Sequence, residues 1–204
     1  MAHLKPSISL SYYTAPELSP LKMIEFAHLL NCQHIGLRLL SNQPGTNEMP
    51  LLYDKEFRKN IKYALSDFGI TPLDANTLRI IPKTNVYEFL PFFDAAYELG
   101  AKHVLTTIDD QDQNRLSDNL NMFSELAIER NLTIDIEFVP WLSIANIEDA
   151  SNAIKNSRCN NIGIAIDALH FHRSNSSINY LENLNPSLFR YFQICDAPIL
   201  KTLP

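Results

Sequence analysis

Two hydrophobic periods take turns along the chain. Short apolar or β-branched runs begin near Leu4, His34, Ile70, Lys102, Leu132, Ile162 and Arg190, and stretches with helical spacing fill the intervals. The starts lie 28 to 36 residues apart, the length of one βα unit. Ser19 followed by Pro20 predicts a helix start, with Met23, Ile24, Ala27 and Leu30 on its apolar stripe. Asn31, Gly69, Gly100, Asn131 and Asn160 or Asn161 each precede a strand run, where a residue tolerating positive φ ends a helix. No linker, low-complexity stretch or charge block divides the chain, so one domain over residues 1–204 is expected.

Side-chain parity chooses between the two architectures open to such repeats, a doubly wound sheet and a (β/α)₈ TIM barrel. In the fifth run Leu132, Ile134, Ile136 and Phe138 alternate with Thr133, Asp135 and Glu137. Ile162, Ile164 and Ile166 alternate with Gly163, Ala165 and Asp167, and Phe192 and Ile194 with Tyr191, Gln193 and Cys195. The apolar set can face helices while the polar set converges on a barrel axis, which an open sheet lacks. Nucleotide-binding glycine motifs of the G-x-G-x-x-G or G-x-x-x-x-G-K-[ST] kind are absent. The expectation is therefore an α/β fold, a (β/α)₈ barrel of which seven βα units are visible. Residues 195–204 read as a loop, and the eighth strand is missing or not included.

Composition narrows the partners. Of 204 residues, 46% are hydrophobic and 20% charged, as in a globular domain. Lys plus Arg number 17 against 23 Asp plus Glu, and the net charge of −6 disfavours nucleic acid and anionic membrane surfaces. The N-terminal segment lacks a secretory apolar core, and no window approaches a membrane span. Cys32, Cys159 and Cys195 are odd in number and far apart, suggesting neither a disulfide framework nor a thiolate zinc site. A reducing, cytoplasmic location is expected. The exposed edges of a seven-stranded form would invite self-association into a homo-oligomer.

Candidate chemistry gathers where strands end. Glu137, Asp167 and Gln193 fall at three successive strand ends on the inward parity. Adjacent strands are about 4.8 Å apart, so these oxygen donors can approach one point and suit a divalent ion. Side-by-side carboxylates buried without a cation cost several kcal/mol. His170, His172 and Arg173 follow Asp167 in one short segment, and Asp167, His170 and Arg173 share a face if it turns helical. Arg173 could fork onto a substrate phosphate or carboxylate. Trp141, the only tryptophan, could stack on a sugar face or pack beneath its loop. Asp74 and Asn76 at the third strand share a parity that can face the axis, and Arg38 is a natural neutralising partner for Asp135.

The segments IDIEFVP (134–140), IAIDALHFHRS (164–174) and YFQICDAP (191–198), with ELSPLKMIEFAHLL (17–30) and AYELGAKHVL (96–105), resemble the sugar phosphate isomerase/epimerase family of xylose isomerase-like TIM barrels. The resemblance implies a metal held by Glu137, Asp167 and Gln193, with His170 contacting substrate. Arg173 and Asp196 match residues of one subgroup. The family's eighth strand, with its second Glu, has no counterpart in these residues.

Together these readings imply a divalent-metal-dependent isomerase or epimerase that moves a proton alpha to a carbonyl. Its substrate would be a small sugar, sugar phosphate or polyol-like compound. Glu137 and His170 would be catalytic, with Arg173, Trp141, His172 and Asp196 at the substrate. The cofactor would be Mn²⁺, Mg²⁺, Co²⁺ or Zn²⁺, and the partner a polyhydroxylated carbonyl compound. A lyase that dehydrates a related substrate, and a non-catalytic barrel with a degraded site, are the rival readings.

Overall fold

The computed structural model describes residues 6–41 and 50–198. Strand order follows chain order from β1 to β7 in one sheet: β1 (Ser9–Leu10), β2 (His34–Arg38), β3 (Thr71–Ile80), β4 (His103–Ile108), β5 (Thr133–Glu137), β6 (Ile162–Asp167) and β7 (Phe189–Gln193). The pairs β1–β2, β2–β3, β5–β6 and β6–β7 are parallel. Helices α1 (Pro20–Leu29), α2 (Pro50–Tyr53), α3 (Lys55–Asp67), α4 (Leu90–Leu99), α5 (Gln113–Ile128), α6 (Ile147–Asn156), α7 (Ala168–Arg173) and α8 (Ile178–Glu182) occupy the crossovers. This is the α/β barrel order expected from the repeats, one strand short of eight. The expected strand start at Leu4 and the segment 199–204 lie outside the described residues, and the first described strand is Ser9–Leu10. No helix among the described residues is long and apolar enough to cross a membrane.

The chain divides into two compact units, Met1–Thr77 with Phe89–Val104, and Leu78–Glu88 with Leu105–Pro204. In the first, Ser19 caps α1 by accepting from Lys22 N, with Pro20 at the opening turn. Met23, Ile24 and Ala27 are buried as expected, but α1 ends at Leu29 and Leu30 is left half-exposed. Gly36 on β2 leaves room for the carboxylate of Asp74 on β3, since a Cβ there would lie 2.9 Å from its Oδ1. Asp74 and Asn76 are both buried and hydrogen-bonded, Asn76 Nδ2 donating at 2.9 Å. The guanidinium of Arg38 lies over the rings of Tyr12 and Tyr13 and donates to the Tyr13 hydroxyl at 2.7 Å.

In the second unit, Ile134 and Ile136 of β5 and Ile162, Ile164 and Ile166 of β6 are buried with Phe123 and Leu120 of α5 and Ile147 of α6. Four of the expected helix stops adopt positive φ: Asn31, Gly69, Gly100 and Asn131. The fifth does not. Helix α6 ends at Asn156, where Ser157 Oγ donates to Ile154 O at 2.7 Å. Asn161 instead ties α5 to β5: its Nδ2 donates to Ser124 O and Leu132 O, and its Oδ1 accepts from Ser124 Oγ. A carboxamide serving tertiary hydrogen bonds looks, in sequence, like one ending a helix.

The loop after β4 carries a nearly inaccessible acid, Asp110, gripped by Arg115 of α5 through Nη2 to Oδ1 at 2.6 Å and Nε to Oδ2 at 2.7 Å. These hydrogen bonds hold its carboxyl below the usual range, against the opposing effect of burial. A depressed folded-state pKa contributes stability that is present above the unfolded value of about 3.9 and lost as pH falls through the folded value. Asp110→Asn should therefore lower stability at neutral pH and flatten this part of the acid limb. Urea unfolding between pH 7 and pH 2 checks it, and an unchanged acid slope would contradict it.

Candidate metal centre

Glu137, Asp167 and Gln193 are the last residues of β5, β6 and β7. Asp167 stands opposite Gln193 in strand register, and Glu137 opposite Ala165. Side chains alternate along a strand, so the three occupy one face, and the small Ala165 leaves space between Glu137 and β7. In the strand layer beneath, Asp135 is fully buried. Its Oδ2 accepts from Thr133 Oγ1 at 3.0 Å, and Arg190 Nε lies 3.5 Å from its Oδ1. Arg190 is thus a cation that this unit itself brings to Asp135. It crosses Gly163, where a Cβ would collide with Arg190 Nε.

Asp167 also starts α7. Its Oδ1 accepts from Leu169 N at 2.7 Å and His170 N at 3.0 Å, satisfying two amides at the head of the helix. The segment following β6 is therefore helical from Ala168, which turns His170 back over the strand ends. His170 Nε2 lies 3.9 Å from Glu137 Oε1, and one donor atom each from Glu137, Asp167 and His170 fall within 4.8 Å of one another. Burial lowers the pKa of His170; Asp167 opposes this and Arg173 adds to it. The imidazole is thereby kept neutral near pH 7, the form that ligates metals. Two carboxylates and a neutral imidazole fit a divalent cation of the Mn²⁺, Co²⁺ or Zn²⁺ kind.

Around this group, Trp141 sets its ring edge-on to His170 with centroids 5.3 Å apart while remaining 49% exposed. Its loop is anchored where Ser143 Oγ donates to Ile108 O at 3.0 Å. Arg173 is partly exposed at the end of α7, and His172 is exposed on the same helix, outside the Glu137–Asp167–His170 group. Asp196 is exposed beyond β7 and accepts from Ala197 N. His170, expected as a catalytic residue contacting substrate, falls within the donor cluster. Cys195, not among the expected site residues, has its Sγ 3.6 Å from Asp167 Oδ2. Burial, then Asp167 and Glu137, push this thiol up against the opposing charge of Arg173. The signal was present in the alternation Tyr191, Gln193, Cys195, which places the cysteine on the inward parity.

No family model and no curated protein matches the sequence. Solved structures do match. The IOLI protein, solved with a zinc atom bound, aligns at a TM-score of 0.79 and 20% identity over 96% of this chain and 74% of that one. A xylose isomerase-like TIM barrel fused to a 4-hydroxyphenylpyruvate dioxygenase aligns at 0.80 and 20% identity, over 98% of this chain and 32% of the fusion protein. The fold is that of the xylose isomerase-like TIM barrels. D-psicose 3-epimerase, solved with D-fructose, aligns at 0.72 and 14% identity over 91% of this chain and 72% of that one. Among these barrels, the present chain spans three quarters or less of each partner's length.

Asp167 combines a charge with a helix cap, and substitution separates the two. Asp167→Asn should keep the cap and hold stability within about 0.5 kcal/mol, whereas Asp167→Ala should cost about 1 kcal/mol. Both should lose Mn²⁺ or Co²⁺ binding. Chemical denaturation paired with metal titration checks this, and retained metal affinity in Asp167→Ala would contradict it.

Proposed function

We propose that the chain belongs to a divalent-metal-dependent isomerase or epimerase acting on a small sugar, sugar phosphate or polyol-like carbonyl compound. The observation that carries this reading is the approach of Glu137, Asp167 and His170 donors to within 4.8 Å, at strand ends of a barrel fold. Glu137, Asp167 and His170 would hold the cation, with Gln193 at the end of β7 offering a further oxygen. When bound, the cation polarises a substrate carbonyl and adjacent hydroxyl, lowering the pKa of the carbon-bound proton between them.

The chain's own groups supply the remainder. Glu137 takes the proton from one carbon and returns it, its Oε1 standing 3.9 Å from His170 Nε2. Trp141 offers an exposed aromatic face to the apolar side of a sugar ring. Arg173, one helical turn beyond His170, meets a phosphate or carboxylate at the far end of the substrate, with His172 and Asp196 at the rim. The zinc-bound IOLI protein and D-psicose 3-epimerase support the reading as barrels of the same fold.

The test is proton exchange. Incubated with ketoses, ketose phosphates and inososes in D₂O with Mn²⁺ or Co²⁺, the protein should place deuterium beside a carbonyl. Glu137→Gln should slow this by about 100-fold or more, and a chelator should abolish it. Exchange with none of these substrates, or exchange indifferent to chelation and to Glu137→Gln, would overturn the reading.

A further inference from the structure

The first compact unit holds a cavity of about 180 Å³, lined by residues of α1, β2 and α2 and of the loop before α1. Its walls are largely aliphatic: Met23, Ile35, Leu37 and Leu51 are each at most 3% exposed. Tyr12 also lines it, its hydroxyl donating to Pro16 O at 3.4 Å. Among the described residues of the lining, only Arg38 is charged, and it is 6% exposed. Arg38 Nε donates to Leu40 O and Nη1 to the Tyr13 hydroxyl at 2.7 Å, while the rings of Tyr12 and Tyr13 each stand 5.3 Å from the guanidinium carbon. These groups orient the guanidinium without neutralising it. Among the described residues of this unit no carboxylate pairs with it: Asp74, the acid of the neighbouring strand, stands opposite Gly36 and accepts from Asn76 Nδ2. A buried cation with hydrogen bonds but no opposite charge is costly, and an anion seated beside it removes that cost.

We propose that this cavity binds a small monocarboxylic acid with an apolar body, its carboxylate on Arg38 and its body against the aliphatic walls. The inference stands on the first unit alone and does not rest on the metal-dependent reading. One guanidinium balances one negative charge, so a phosphate dianion would stay partly unpaired away from water. With Nε and Nη1 engaged, Nη2 and the second Nη1 proton form the edge left for two carboxylate oxygens. The volume lies below the roughly 300 Å³ at which pockets for drug-sized ligands begin, which limits the body to one ring or a short chain. Aliphatic walls disfavour a polyol, which would lose its hydrogen bonds to water on entry. This ligand therefore differs in class from the sugar-like substrate proposed for the metal centre.

Benzoate and benzamide share a ring and differ in charge, so titrating the full chain with each, a chelator present throughout, reads the role of the guanidinium. Benzoate should bind saturably, and benzamide about tenfold or more weakly. Inorganic phosphate should not displace benzoate. Arg38→Lys keeps the charge and loses the planar fork, and should weaken benzoate about tenfold, while Arg38→Met should abolish saturable binding. If circular dichroism shows Arg38→Met to be unfolded, Arg38→Lys carries the test. No saturable benzoate binding to the wild type, equal binding of benzamide, displacement by phosphate, or an affinity unchanged in Arg38→Lys would each overturn the inference. With metal chelated, none of these outcomes bears on the metal centre.

Discussion

The carboxylate of Asp167 is the junction on which the site depends. It ends β6, caps α7 through Oδ1, and leaves Oδ2 towards the neighbouring donors. The two roles are linked physically: the amides that Oδ1 satisfies are those that fix the first turn of α7, and that turn sets His170 over Glu137. A helix beginning even one residue later would rotate His170 by roughly 100° about the helix axis and take it from the cluster. The position of a histidine therefore follows from a side-chain capping bond made by the residue three places earlier.

Support from below is equally specific. A carboxylate buried directly under the candidate metal centre is costly without a cation beside it. Here Arg190 reaches Asp135 across Gly163, and the missing Cβ is what opens the path. The strand layer above then carries Glu137 beside Ala165, again a small residue next to a functional one. The pattern of small residues on β6, Gly163 then Ala165, gives long side chains of the flanking strands their room.

Much of this was legible from the chain alone, for identifiable reasons. Parity along a strand is fixed, so the alternation in residues 132–138 and 162–167 announces a polar set on one face. Cap chemistry is local, so Ser19-Pro20 and the positive-φ stops at Asn31, Gly69, Gly100 and Asn131 read correctly. What escaped depends on tertiary partners. Asn161 has the identity of a helix stop and the job of tying α5 to the start of β5. The pairing of Asp135 with Arg190 turns on a register shift between Ile164 and Ala165 that no local pattern encodes. Cys195 has no paired cysteine to announce it, and its partner Asp167 comes from another strand.

The account stands or falls on whether a cation sits among Glu137, Asp167 and His170. Anomalous diffraction from crystals grown with Zn²⁺, recorded on both sides of the zinc absorption edge, locates the ion without reference to any activity. The expected result is one strong peak about 2.0 to 2.3 Å from donor atoms of all three residues. A fully loaded crystal with no peak there, or with zinc bound only at other surface groups, would contradict it.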